Sequence, residues 1–311
     1  MDETKKIKYS FIIPVTSDPF HLKNLLESVS IQKFNPDRFE FIIVKTDDRE
    51  GVDEVVNDFK TKNTSVNIVV VSSGKPSVSE SRNTGIKNAR GDILIFVEDD
   101  VIFEQNYFVN LVADTGETGE IFAGGGKIIP VFEQQKPPWL IKFFMPLLAE
   151  VNLKEKHKVF PAKLYPLGIH MLVHRKIFDL LGYFDPSPET KHGPEHVTVS
   201  EKKFIDKVRK AGYPVYYFAN LLVWNYVPVE QVNRQYIRKQ AEIALQVEIE
   251  RAKQKGRVKY WRFLFREILK YIATVGIGFY YLITTQWEKL KSIFQYRYWS
   301  YKVISKSLVK K

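Results

Sequence analysis

Cysteine is absent from all 311 residues, which excludes disulfides, thiolate metal sites and cysteine nucleophiles and leaves the redox compartment open. An apolar signal region is missing as well. Met1-Asp2-Glu3-Thr4-Lys5-Lys6 leads straight into a strand-like run, which implies cytoplasmic synthesis without secretion. Acidic residues are scarce at one end. Residues 251–311 hold 15 lysines and arginines but only Glu267 and Glu288, a net +13 where the whole chain carries +11, so residues 1–250 are nearly neutral at −2. The longest uncharged run there, Tyr271 to Trp287, has 17 residues and ends in Thr284, Thr285 and Gln286. It falls short of the roughly 20 apolar residues of a spanning helix. Internal repeats and low-complexity segments are absent too.

What is present is a 44% hydrophobic composition, enough for one large α/β domain or a domain with an appendage. Ile7 to Pro14 reads as a buried strand. Asp18-Pro19 then opens a helix with Leu22, Leu25, Leu26 and Val29 at helical spacing. The pattern repeats: strand Phe41 to Val44, helix Val52 to Phe59, strand Ile68 to Val71, helix Val78 to Ala89, strand Ile93 to Val97. Strands alternating with helices predict a mainly parallel sheet with helices on both faces. Residues 121 to about 165 are less regular, with glycines at 124–126 and a Pro137-Pro138-Trp139 break, and read as a strand followed by a mobile segment. After it come strand Ile169 to Val173, a helix around Arg175 to Leu181, a loop to His196, helix Ser200 to Ala211 and strand Val215 to Phe218.

In such sheets ligands bind beyond the carboxyl ends of the strands. Glu98-Asp99-Asp100 lies there, directly after an apolar strand. Crowded carboxylates repel one another and raise a pKa, whereas Mg²⁺ or Mn²⁺ bridging to a diphosphate removes the repulsion and uses the oxygen ligands these cations favour. The plain alternative is that the acidic residues cap a helix or face water. Ser77-Val78-Ser79-Glu80 reads as a capping box that starts the helix feeding this strand, which puts Arg82 and Asn83 near the cluster. A cation and an amide would then flank the diphosphate.

At this point the sequence resembles the family 2 glycosyltransferases of the GT-A fold, from about Lys8 to Val227. The carrying segments are Phe11-Ile12-Ile13-Pro14-Val15, Ser81-Arg82-Asn83-Thr84-Gly85-Ile86, Ala89-Arg90-Gly91-Asp92, Phe96-Val97-Glu98-Asp99-Asp100 and Lys210-Ala211-Gly212-Tyr213. The resemblance implies a Rossmann-like α/β domain over residues 1–250, with a nucleotide-sugar half (1–120) and an acceptor half (121–250), followed by a basic, aromatic helical extension, 251–311. It makes Asp100 the principal metal ligand, Asp99 the contact to the nucleotide sugar, and Glu98 the occupant of a place more often held by Asp. Pro14, Val15 and Thr16 meet the base, and Arg82 stands beside the sugar nucleotide, a helix-surface ion pair being the plain alternative. Where the family carries a uracil-recognising aspartate this chain has Lys45-Thr46-Asp47-Asp48, so either Asp47 takes that role or the base preference is altered. Counting back from Gly212 puts Ser200 and Glu201 on the family's Glu-Asp pair, making Glu201 the general base and Ser200 its N-cap. The bland alternative is an ordinary amphipathic helix start, with Glu195 the reserve base. Asn225 stands where a histidine often completes the metal site.

The implied chemistry is an inverting transfer. Glu201 takes a proton from an acceptor hydroxyl while Mn²⁺ or Mg²⁺ neutralises the departing nucleoside diphosphate. Gly124 to Gly126 would let backbone approach the sugar, and Trp139 packs on a core or loop, or stacks on the sugar. A UDP-sugar is the favoured donor, and a glycan or lipid-linked molecule the acceptor. For the tail, peripheral or re-entrant attachment to an anionic cytoplasmic leaflet competes with a helical subdomain packed on the protein or a partner. A non-catalytic scaffold remains open, given the departures at Lys45, Glu98, Ser200 and Asn225. Nucleic acid is not expected, since no recognised motif accompanies the charge.

Overall fold

Six apolar or small residues in succession, Tyr9–Pro14, form β1, every one buried. Its neighbours β2 (Phe39–Lys45) and β4 (Ile93–Val97) run parallel to it, and β3 (Ile68–Ser72) runs parallel to β2. Strands buried on both faces are expected to be continuously apolar rather than alternating, as β1 and β4 are. The computed structural model describes residues 7–46, 49–74, 77–116, 120–154, 157–186 and 199–309.

The crossover helices α1 (Pro19–Ser30), α2 (Val52–Lys62) and α3 (Val78–Asn88) begin as the sequence predicts. The Asp18 side chain caps α1 by accepting the Phe20 N–H at 2.8 Å, and Leu22, Leu25, Leu26 and Val29 are buried. Ser77 caps α3 by accepting the Glu80 N–H. The Ala89-Arg90-Gly91-Asp92 turn that leads into β4 is fixed by a buried carboxylate. Glu40 accepts from the Ser10 hydroxyl and from the Arg90 N–H and Nε.

The sheet order is β3-β2-β1-β4-β8-β6-β9-β5, with β7 paired to β9. Its second half comprises β5 (Val101–Phe103), β6 (Ala123–Phe132), β7 (Lys158–Val159), β8 (His170–His174) and β9 (Val215–Val227). The parallel arrangement stops at β4: β8 pairs antiparallel with β4 and β6, and β9 antiparallel with β5 and β7. Helices α4 (Tyr107–Thr115), α5 (Arg175–Leu181) and α6 (Val199–Lys210) complete this part. β5 and α4 were not expected from sequence, and β9 is much longer than the strand expected over 215–218. A three-residue strand such as β5 is too short to show a period.

The chain divides into two compact units elsewhere than at residue 250, a position inside helix α7 (Arg234–Gln254). Among the described residues, the first comprises 7–131, 149–186 and 199–226, and the second comprises 132–148 and 227–309. Within the second, α7, α8 (Arg257–Ile283) and α9 (Trp287–Val309) join a 3₁₀ turn at Lys142–Leu148. Phe144, Met145 and Leu148 of that turn share a core with Ile237, Ile293 and Trp299. Residues 132–148 of the segment expected to be mobile thus pack into a helical unit, because their apolar side chains find partners far along the chain. Trp139 belongs to the same packing, with the Arg234 guanidinium over its ring at 4.9 Å.

Candidate active site

The carboxyl ends of β1 and β4 lie side by side, since the two strands are paired in register. The turns that leave these two strands therefore meet. After β4, Asp99 is 1% exposed and its carboxylate takes four hydrogen bonds from the turn after β1. These come from the Thr16 N–H (3.2 Å), the Thr16 hydroxyl (3.4 Å), the Ser17 N–H (2.9 Å) and the Ser17 hydroxyl (2.7 Å). Burial holds the Asp99 carboxyl above its ordinary pKa, against the lowering effect of the Ser17 hydroxyl and N–H. From the opposite side of the turn Arg49 donates to the Thr16 carbonyl at 2.5 Å and the Ser17 carbonyl at 3.4 Å. Asp99 is thus enclosed by the turn after β1, with its carboxylate engaged by Thr16 and Ser17. Pro14 and Val15 are buried at the strand end, and Thr16 is exposed.

Arg82, in the second turn of α3, is 1% exposed and bridges two carboxylates. Its Nη1 pairs with Glu201 Oε1, 119 residues away, and its Nη2 stands 3.4 Å from Glu98 Oε1. Glu201, in the first turn of α6, is equally buried and accepts the Gly168 N–H on its other oxygen at 3.2 Å. A Cβ at Gly168 would meet the Glu201 carboxylate and the Arg82 guanidinium, so a larger residue there would displace this pair. The helix-surface reading of Arg82 is therefore replaced by a buried bridge. Arg82, Glu98 and Glu201 meet, as an active site would require. Taking a proton from a substrate would need an acceptor hydroxyl to displace one of the contacts on Glu201.

Three local expectations are corrected. Ser200 does not cap α6: it lies one residue inside the helix, and its buried hydroxyl has no hydrogen-bond partner among the described residues. The Asn83 amide is turned to Phe184, donating to its carbonyl at 2.8 Å and accepting its N–H at 3.1 Å, so it is engaged by the backbone of one residue rather than facing a diphosphate. Gly124 to Gly126 are buried and serve close strand packing. A Cβ at Gly124 would lie 2.6 Å from the Tyr216 carbonyl, one at Gly125 2.8 Å from Pro166, and one at Gly126 would strike the His170 ring and the Leu221 carbonyl. Asp47 and Glu195 lie outside the described residues. Lys45, where the family carries an acidic residue, is paired with Asp53 in the first turn of α2.

Sequence reasoning missed Ser17, Arg49, Gly168 and His170, whose partners are all remote in the chain. His170 is fully buried, with Nε2 2.7 Å from the Tyr107 hydroxyl, and burial lowers its pKa from 6.5 to about 3. Unfolded, the ring takes a proton near pH 6.5; folded, it does so only near pH 3. Its neutral form therefore supports the fold fully above pH 6.5, and stability declines as the pH falls from there towards about 3. Between pH 7 and pH 5 the wild type is expected to lose about 2 kcal/mol more unfolding free energy than a His170→Gln variant. Urea titrations at the two pH values measure this, and equal losses in the two proteins would refute it.

A divalent cation has a suitable, incomplete set of ligands here. Asp100 follows Asp99 at the strand end, and its carbonyl accepts the Tyr226 N–H at 3.1 Å, which ties it to β9 beside Asn225. Asn225 is 1% exposed, and neither its amide oxygen nor its amide nitrogen has a hydrogen-bond partner among the described residues. Such a group is costly to bury and suits an oxygen ligand position. No three His, Cys, Asp or Glu side chains among the described residues form a metal cage. Asp100 and Asn225 would suit a divalent cation only if further ligands came from a bound substrate.

The parallel β3-β2-β1-β4 half, its acidic strand end and the antiparallel strands beyond it define an α/β fold of the kind that receives ligands at the carboxyl ends of its parallel strands. Residues 10–181, more than half of the chain, match the model of Glycosyl transferase family 2, and the chain belongs to that family. Glycosyltransferase AglE of Haloferax volcanii is 28% identical over 116 residues, 37% of this chain and 38% of that protein. Poly(ribitol-phosphate) beta-N-acetylglucosaminyltransferase TarS of Staphylococcus aureus is 28% identical over 95 residues, 30% of this chain and 16% of its own length. The matches therefore span well under half of either relative.

Among solved structures, the mannosyltransferase PcManGT from Pyrobaculum calidifontis, in complex with GDP-Man and Mn²⁺, superposes with a TM-score of 0.55 at 13% identity. The match covers 94% of this chain and 74% of that one. TarS residues 1–349 in complex with UDP-GlcNAc give 0.53 at 17% identity, covering 78% and 66%. These likenesses establish the GT-A fold.

Proposed function

We propose that this chain transfers a sugar from a nucleotide-sugar donor, a UDP-sugar favoured, to a hydroxyl of a glycan or lipid-linked acceptor, inverting the anomeric centre. The observation that carries the reading is the Arg82 bridge. It joins Glu98 at the end of β4 to Glu201 on α6, at the edge of the sheet where a doubly wound fold receives its ligand. The names of the relatives and the ligands of the solved neighbours support it.

In this reading Asp100, with Asn225 beside it, holds Mn²⁺ or Mg²⁺, which when bound offsets the charge of the departing diphosphate. Thr16, held in its turn by Asp99 and Arg49, borders the base with Pro14 and Val15. Arg82 supplies positive charge near the diphosphate and is kept in place by Glu98 and Glu201. Glu201 receives the acceptor's proton once the hydroxyl replaces its longer contact, the Gly168 N–H.

The test is nucleoside-diphosphate release from UDP-GlcNAc, UDP-Glc and GDP-Man with Mn²⁺ or Mg²⁺ and a lipid and glycan acceptor extract. Metal-dependent release that needs both donor and acceptor, and that falls at least tenfold in Glu201→Gln, is expected. Donor binding without release across the acceptor panel would instead favour a nucleotide-binding scaffold.

A further inference from the structure

Helix α8 is anchored along one side only. Its buried residues are Phe263, Glu267, Thr274 and Gly278, spaced as one helical face. That face is pinned to α9: Arg297 donates Nε to the Thr274 hydroxyl at 2.7 Å and stands 3.9 Å from Glu267, and the Tyr271 hydroxyl donates to the Arg297 carbonyl at 2.9 Å. At Gly278 the two helices come so close that a Cβ would lie 2.7 Å from the Phe294 ring. These contacts fix the rotation of α8 about its own axis.

Turned away from that side is a continuous apolar stripe. Val258, Trp261, Phe265, Ile268, Ile272, Val275, Phe279 and Ile283 recur every three or four residues, and each is between 57% and 67% exposed. At about 100° per residue they share one face, while Lys259, Arg262, Arg266 and Lys270 line one flank between the stripe and the anchored side. Those four cations are exposed, and only Lys270 makes an ion pair among the described residues, with Glu267 at 2.5 Å. An ordinary protein surface rarely carries so long an unbroken apolar strip.

We propose that α8 lies flat in the headgroup region of an anionic lipid bilayer, with the stripe from Val258 to Ile283 buried among the acyl chains and the basic flank against lipid phosphates. The charge pattern selects this occupant. Four cations bordering the stripe complement an anionic surface, whereas a second copy of the same helix would set like charges together. Among the described residues no helix is long and apolar enough to cross a membrane, and the basic half of α8 shows why this one lies along the surface. The uncharged run over 271–287 is only the distal half of this surface, which begins at Val258.

The experiment is vesicle flotation of the full chain, with phosphatidylcholine alone and with about a third of it replaced by phosphatidylglycerol. Binding needs no donor sugar, so this proposal and the glycosyl transfer proposed above can fail separately. The expected result is co-flotation with the anionic vesicles, weakened by salt, with a blue shift of tryptophan fluorescence that Trp261→Phe diminishes. Arg262→Gln with Arg266→Gln is expected to weaken binding about 30-fold, as two surface charges are removed. Phe265→Ser with Ile272→Ser is expected to abolish it while leaving the melting temperature unchanged, since both side chains are exposed. Three outcomes would each overturn the proposal: no flotation with either vesicle, equal flotation with neutral vesicles, or a dimer that the two serine substitutions dissociate.

Discussion

Replacing Arg82 with alanine is expected to destabilise the sheet-containing unit by about 3–5 kcal/mol, because it leaves the buried Glu201 charge without its partner. Glu98 is less affected, its side chain being 14% exposed and able to turn to water. Urea unfolding followed by tryptophan fluorescence measures the loss. Removing the charge on both sides, Arg82→Met with Glu201→Met, should recover most of it, since a buried ion pair contributes little net stability over an apolar replacement of similar volume. The double variant would still lack the guanidinium and the carboxylate and should show no donor turnover. If Arg82→Ala costs less than about 1 kcal/mol, the bridge behaves as an exposed pair and not as a buried one. If the double variant turns over donor, the pair is structural and the active site lies elsewhere.

Asp100→Ala carries the other large effect. In the diphosphate-release assay it is expected to lower metal-dependent turnover on the order of 100-fold or more, with a smaller loss of stability than Arg82→Ala, as Asp100 is only partly buried. A chelator should reduce the wild type to a similar level and have little further effect on the variant. That non-additivity separates loss of a metal ligand from a general loss of catalysis, in which chelation and substitution would multiply. Asn225→Ala tests the second ligand position: a raised metal requirement at unchanged maximal rate is the expected sign. Full activity of Asp100→Ala at low Mn²⁺ would remove the metal assignment.

The site is partly legible in the amino-acid sequence. The Glu98-Asp99-Asp100 cluster after an apolar strand and Arg82 behind its capping box stand out by local spacing, Glu201 is implied only by the family resemblance through its distance from Gly212, and the fold brings Arg82, Glu98 and Glu201 together. The role of each side chain there is less legible. Asp99 looks no different from Asp100 in the bare sequence, yet it is enclosed by the Thr16-Ser17 turn while Asp100 is only partly buried. Asn83 beside Arg82 faces away to Phe184. The glycine run at 124–126 suggests access for a ligand and instead admits neighbouring strands, His170 and Pro166.

By itself, the sequence determined the parallel half of the sheet and its helices, because strand and helix periods, N-caps and apolar runs are written within a few residues of one another. It also determined which family the chain resembles and where negative charge gathers. Only the tertiary structure decided the antiparallel half, the attachment of residues 132–148 to the C-terminal helices, the depth of Asp99, and the burial of one Arg82–Glu201 pair across 119 positions. Those depend on which distant groups meet and on how much water they exclude, and neither has a period that a local stretch of sequence can carry.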